Sequence, residues 1–309
     1  MTLAKRSFAL PVAALVAVFC FHSTVQALNL QTVGPSARSV ALGGSTVALA
    51  DNTDAIFENP AGLGKLAGRQ VSYTNVMLFY TGTGEDSPAQ HVIGIAQPLG
   101  GRLGLGLGIE YIGIENFNEI GGTVSLAYKL SNSLNLGLNA KYLSWSATLA
   151  DGDPGSSSGG NVGVDVGALW KSPFKGAQVG LLVKNLNKPN VAGGDVPGEP
   201  DAGTLPMDLH VGIAYWHQAT TSLISVQWVA RAFGEDASST RLLLGAETQL
   251  APGFMLRAGG SRYLEDDEDN LNAGLGWQRN KLGIDYAYHI PLGLEGSNGK
   301  HLFTFAYDF

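Results

Sequence analysis

From about residue 69 to its end, the chain repeats one pattern: stretches of roughly ten residues in which apolar side chains alternate with small or polar ones. Leu103, Leu105, Leu107, Ile109 and Tyr111 alternate with Gly104, Gly106, Gly108 and Glu110. Val162, Val164, Val166, Ala168 and Trp170 alternate with Gly163, Asp165, Gly167 and Leu169. A period of two puts successive side chains on opposite faces of a strand, so each stretch has one apolar face. Fourteen strands are read at 69–80, 87–98, 101–112, 120–130, 132–146, 160–171, 175–186, 206–217, 221–233, 239–250, 253–264, 269–279, 281–291 and 299–309.

A soluble sandwich alternates too, with its polar face wet. Three features count against it. The apolar faces carry aromatics at strand ends, the opposite faces are rich in Gly and Asn instead of Lys and Glu, and the strands are long. A tilted strand needs about 9–11 residues to cross a bilayer, while ordinary strands cluster near 5–6. Composition agrees, with 42 Gly among 309 residues and only 15% charged side chains. No apolar run beyond the leader approaches the ~20 residues of a spanning helix. The chain therefore reads as all-β, a 14-stranded antiparallel transmembrane β-barrel. A formal charge of −7 without any basic block argues against a nucleic-acid partner.

Residues 1–27 have the form of a secretory signal. Lys5 and Arg6 precede the apolar stretch Phe8 to Phe21, and Val25-Gln26-Ala27 supplies a small-residue cleavage site. Cleavage is expected near Ala27, removing Cys20, the single cysteine. Links after even-numbered strands are short and those after odd-numbered strands longer. Short periplasmic turns and longer outer loops then place both termini on the periplasmic side of a Gram-negative-type outer membrane. Most acids fall on the long-loop side, including the run Glu265 to Asp269, while Arg102, Lys129, Lys171, Lys175, Arg279 and Lys281 lie on the other. That acidic run lacks the Gly-punctuated spacing of a dedicated Ca²⁺ site and reads as a solvated loop tip. Tyr80, Tyr111, Tyr142, Phe233, Tyr263 and Tyr288 mark an outer aromatic rim; Tyr128, Trp170, Trp277 and Phe309 mark an inner one.

Residues 28–68 do not alternate. Ser36 to Leu42 is a helix candidate stopped by Gly43-Gly44, and Asp51 to Asn59 is another, broken by Pro60. Placed before strand one on the periplasmic side, the segment is positioned to fold into the lumen as a hatch, with 69–309 as the barrel. Asn59-Pro60 is expected to form a rigid turn where the chain leaves the hatch for the wall. Arg38 and Asp51 are expected to pair with lumen charges such as Asp165 or Arg257.

The run Ala37-Arg38, Leu42-Gly43-Gly44, Ala48-Leu49-Ala50-Asp51 and Asn59-Pro60-Ala61-Gly62-Leu63 resembles the N-terminal hatch of the FadL long-chain fatty-acid transporter family, and more closely that of the PorV/PorQ family of related barrels. This resemblance implies a 14-stranded barrel with an N-terminal plug. The long outer loops of fatty-acid transporters are little developed here. The ending Phe305, Tyr307, Phe309 resembles the C-terminal signal read by barrel-assembly machinery.

Inward parity collects Glu110, Lys141, Asp165, Lys184, Asp208, His210, Arg231, Arg241, Glu247, Arg257, Asp285 and His289. These charges read as ion pairs knitting the lumen wall, or as a polar path through it. Hairpin folding sets Asp165 diagonal to Lys184, and Glu247 beside Arg257. No histidine after the leader (His91, His210, His217, His289, His301) sits in a recognisable triad, and the missing thiols exclude a His/Cys metal site, so neither catalysis nor a cofactor is expected. Two functions remain. One is a hatch-plugged channel for uptake or export of small hydrophobic molecules. The other is a PorV-like platform that binds exported proteins in a type IX-like secretion or attachment system. The expected partners are outer-membrane lipid, the assembly machinery, and a hydrophobic solute or secretion-system proteins.

Overall fold

Every long alternating stretch becomes a strand. The computed structural model describes residues 33–78, 89–114, 117–148, 156–192, 203–232, 239–265, 269–292 and 299–309. The leader and its cleavage site, Tyr80, Phe233 and the loop acids Asp266, Asp267 and Glu268 lie outside them. The strands are β1 Gln70–Met77, β2 Ala89–Pro98, β3 Leu103–Ile114, β4 Phe117–Lys129, β5 Leu134–Thr148, β6 Ser156–Lys171 and β7 Ala177–Lys184. They continue as β8 Asp208–His217, β9 Ser222–Arg231, β10 Ser239–Ala251, β11 Phe254–Tyr263, β12 Asn270–Arg279, β13 Leu282–Pro291 and β14 Lys300–Asp308.

Each strand pairs antiparallel with its sequence neighbours, and β1 pairs with β14 from Gln70↔Asp308 to Met77↔His301, so the sheet closes into a barrel. Closure removes the open edge that a lipid environment cannot tolerate. The end of the chain seals the seam: the Phe309 N–H donates to the Arg69 carbonyl at 2.9 Å, and the Arg69 guanidinium lies 5.7 Å from the Phe309 ring centre.

Parity sorts the side chains as the alternation demands. Leu136, Ile213 and Leu275 point out and are exposed, whereas Gly276, next to Leu275, points inward at Asp285 and Arg257. Tyr111, Tyr142, Tyr128 and Trp170 are also on the outer face. Lipid takes the place of water around this apolar surface. Buried strand residues such as Leu169, Leu182, Leu223 and Leu302 are on the inner face.

Ahead of β1 come α1 Ala37–Ala41, α2 Ala55–Glu58 and a 3₁₀ helix Pro60–Lys65. Ser36 caps α1, its Oγ accepting from the Ser39 N–H at 3.0 Å, and Gly43 and Gly44 end it at positive φ. The second helix is shorter than its sequence suggests. Asn52 Oδ1 takes the Asp54 N–H at 2.9 Å, a local turn that competes with the helix start. Asn59-Pro60 is not the exit to the wall. Pro60 instead opens the 3₁₀ helix, with Asn59 Oδ1 accepting the Ala61 N–H at 3.2 Å.

Candidate functional site

The distinctive region is where residues 33–68 meet the inner wall, and glycine determines how closely they approach. Inward-facing glycines recur on strand after strand: Gly94 on β2, Gly106 on β3, Gly137 on β5, Gly167 on β6, Gly180 on β7, Gly212 on β8, Gly245 on β10, Gly259 on β11 and Gly274 on β12. At all nine, the nearest atoms to a would-be Cβ include atoms of the N-terminal segment. A methyl at Gly180 would overlap the Val47 carbonyl, one at Gly137 the backbone at Pro60-Ala61, and one at Gly167 the Asn59 amide. Within the segment, Gly62 lies equally close to the Ala50 carbonyl. The alternation had marked these glycines as the inner face; that they form a fitted seat depends on which segment lies against them.

Polar contacts fix the segment in that seat. Fully buried Asn59 donates from Nδ2 to the carbonyls of Val47 at 2.9 Å, Ala168 at 3.1 Å and Leu181 at 3.3 Å, joining two parts of the segment to β6 and β7. The Ala37 N–H donates to Thr304 Oγ1 at 2.8 Å on β14. Asn139 Nδ2 donates to the Ile56 carbonyl at 2.9 Å from β5. Gln178 on β7 donates to the Ala48 carbonyl and accepts from Lys65 Nζ at 3.1 Å.

Five charges form a chain between the segment and the wall. Arg38 pairs with Asp51 at 2.5 Å and with Glu247 at 3.1 Å. Glu247 also holds Arg257 at 2.6 Å, and Arg257 holds Asp285 at 2.5 Å. The pairing of Glu247 with Arg257 follows from direct register across β10 and β11. Arg38 and Asp51 do not reach Asp165 or Arg257. They hold each other, and Arg38 crosses to Glu247, because α1 lies beside β11 to β14 and away from Asp165. Arg38, Leu42, Thr46, Leu49, Ala50, Asp51, Asn52, Asp54 and Glu58 leave a cavity of only about 10 Å³, about the volume one water needs.

Nearer the outer end the other lumen candidates form a second polar layer. Asp165 pairs with Lys141 at 2.8 Å, not with Lys184, and its Oδ1 also accepts the Asn185 N–H at 2.9 Å. Lys184 stands opposite Asp208 in register, and Asp208 accepts the Ala232 N–H at 3.1 Å with Arg231 at 3.8 Å. Gln227 takes the Val47 N–H on Oε1 at 2.9 Å, so its Nε2 is the donor to His210 Nδ1 at 3.1 Å. Arg241 lies over the Tyr263 ring and donates to its hydroxyl at 3.1 Å. Above this layer residues 189–192, which follow β7, turn inward. Val191 is buried against Leu143 and Leu205, and Trp145 Nε1 donates to its carbonyl at 2.8 Å. The sequence reading missed this inward turn. Its only signals were Pro189 and the apolar Val191 within a polar loop.

The barrel is similar to solved structures of toluene transporters and of a FadL homologue. It superposes on the toluene transporter TbuX of Ralstonia pickettii with a TM-score of 0.67 and 16% identity, covering 91% of this chain and 100% of that one. For the toluene transporter TodX of P. putida the TM-score is 0.70 at 11% identity, over 90% and 99%. For a FadL homologue of Pseudomonas aeruginosa it is 0.55 at 15%, over 90% and 98%. At such identities the likeness establishes the fold alone, a closed antiparallel β-barrel like those of these proteins. No curated protein matches the chain in sequence. A family model described as "Type IX secretion system membrane protein PorP/SprF" matches residues 75–307. By that match, which covers most of the barrel, the chain belongs to the PorP/SprF family of type IX secretion system membrane proteins.

Proposed function

We propose that the protein is an outer-membrane platform for type IX secretion, a barrel closed by its own N-terminal hatch that binds secretion components or exported proteins at its surface. The observation that carries this reading is the glycine-lined seat. A fourteen-stranded barrel has an interior wide enough for a ligand or channel unless something fills it, and here residues 33–68 press on glycines of nine strands. A wall fitted to its plug suits a protein whose working surface is its outside. Cleavage near Ala27, recognition of Phe305, Tyr307 and Phe309 by assembly machinery, and the PorV/PorQ likeness of the hatch motif belong to the same proposal. Deletion of the gene is expected to abolish surface display and release of type IX-exported proteins while growth on hydrophobic solutes is unchanged. Normal export in the deletion strain would sink the platform reading.

A second reading, a hatch-gated channel for small hydrophobic molecules, has one observation in its favour: the barrel is superposable on toluene transporters. It requires the hatch to move. Selective loss of growth on one hydrophobic solute in the same deletion strain would favour it.

A further inference from the structure

The wall is uneven at one place. β6 runs for 16 residues and pairs with β5 over 15 of them, from Leu134↔Trp170 to Thr148↔Ser156. β7 has only 8 residues and pairs with β6 from Val166 to Lys171 alone. The other edge of β6 from Ser156 to Asp165 therefore has no strand beside it among the described residues. Its outer part extends past the aromatic rim, because Val162 stands level with Tyr142.

The hydrogen bonds show which backbone groups face this edge. The Val164 N–H donates to Asn187 Oδ1 at 2.9 Å, and its carbonyl accepts the Leu186 N–H at 2.8 Å. Asn187 Nδ2 donates to the Val162 carbonyl at 2.8 Å. A single asparagine amide thus makes the two contacts that a residue of a paired strand would make. Backbone direction alternates along a strand, so Gly160 and Ser158 present their N–H and C=O groups along the same edge, one step further out. No described residue meets those groups. Nor does the stretch Ser156 to Val164 contain a Lys, a Pro or any charge, the devices by which native edges resist pairing.

We propose that this outer edge of β6, centred on Ser158 and Gly160, docks an extended segment of an exported polypeptide, which adds to the wall as a further strand. The inference rests on the secretion reading above and names its contact surface. A row of alternating donors and acceptors is matched by another extended backbone. The edge lies on the outer side, where an exported chain emerges, and Asn187 already holds the adjoining position as a strand would.

Backbone chemistry provides the test. The Ser158 N–H points away from β5, so Ser158→Pro removes an edge donor without touching the β5–β6 ladder. Ser158→Ala keeps that donor. Ser158→Lys leaves the backbone alone and installs a charge that resists pairing. All three are expressed as the full chain, with assembly checked by heat-modifiable gel mobility and export by the amount of a type IX-exported protein in the medium. The expected result is at least a fivefold loss of export for Pro and for Lys, with Ala at the native level. Normal export from an assembled Pro variant would overturn the proposal, as would an Ala variant as defective as Pro. If Pro does not assemble, Lys decides by the same criterion. A native dimer in detergent that Ser158→Pro converts to monomer, with export intact, would assign the edge to a second copy and also overturn it. Export that survives deletion of the whole gene refutes the platform reading itself, a different outcome from an edge variant that exports normally.

Discussion

Asp54 is buried in the N-terminal segment, where it accepts from Ser36 Oγ at 2.6 Å, and burial pushes its carboxyl up from 3.8 to about 6. A group whose folded value is raised favours the folded state in its protonated form. Its contribution is complete below pH 4 and is lost as the pH rises through about 6. A shift of this size corresponds to ~3 kcal/mol between the two limits. Residues 33–68 should therefore resist protease better at pH 4 than at pH 7, and Asp54→Asn should flatten that difference; an unchanged pH profile in the variant would remove Asp54 from the account. Gly180 lies against the backbone of the N-terminal segment. Its missing side chain admits the Val47 carbonyl, so Gly180→Ala must displace backbone. We expect a loss of ~1–3 kcal/mol in the stability of the N-terminal segment, read as earlier proteolysis of residues 33–68 within an intact barrel.

At the level of the element, the strands are specified by parity. Leu275 faces lipid and Gly276 faces Asp285 and Arg257 on the same strand. Leu275→Arg should cost ~2–4 kcal/mol in barrel stability through lipid transfer. Gly276→Arg should instead disturb the Arg257–Asp285 pair without that transfer cost, and unfolding in lipid vesicles separates the two. The last strand has a closing role, because β14 bonds to both β1 and β13 and Phe309 caps the seam at Arg69. Deleting Phe309 should lower the fraction of assembled barrel and leave precursor in the periplasm. Unchanged assembly would remove Phe309 from any signalling role.

The whole molecule is a closed cylinder whose inner wall is shaped to a segment of its own chain. Removing residues 29–58 takes away both helices and Asn59's partner Val47, and leaves Gly180, Gly212, Gly245, Gly259 and Gly274 without the segment atoms packed against them. The truncated protein should still assemble, since no pairing between strands involves those residues. Its single-channel conductance in planar bilayers should exceed that of the full chain. Equal conductance would show that the segment does not close the lumen. A milder form is Arg38→Ala, which leaves Glu247 with Arg257 alone and takes away the ion-pair partner of Asp51, and should loosen the N-terminal segment without opening the wall.

Strand number and parity were legible in the sequence because they depend on a local quantity, the period of two, which a bilayer enforces on every spanning strand; strand ends were read less well, β6 starting at Ser156 and not at 160. The direct pair Glu247 and Arg257 was legible for the same reason, since a tight turn sets its register. The partner of Asp165 was not, because Lys141 and Lys184 both face the same interior and only side-chain reach separates them. Nor was the fit of Arg38 to Glu247, or of Asn59 to three carbonyls on separate elements. Those contacts depend on where a non-repeating segment lies inside the barrel, and no periodicity encodes that position. The glycines show the division most plainly. By itself the sequence determined that they face inward; only the tertiary structure decided that the N-terminal segment needs that space, because close packing is settled by the atoms on both sides of a contact.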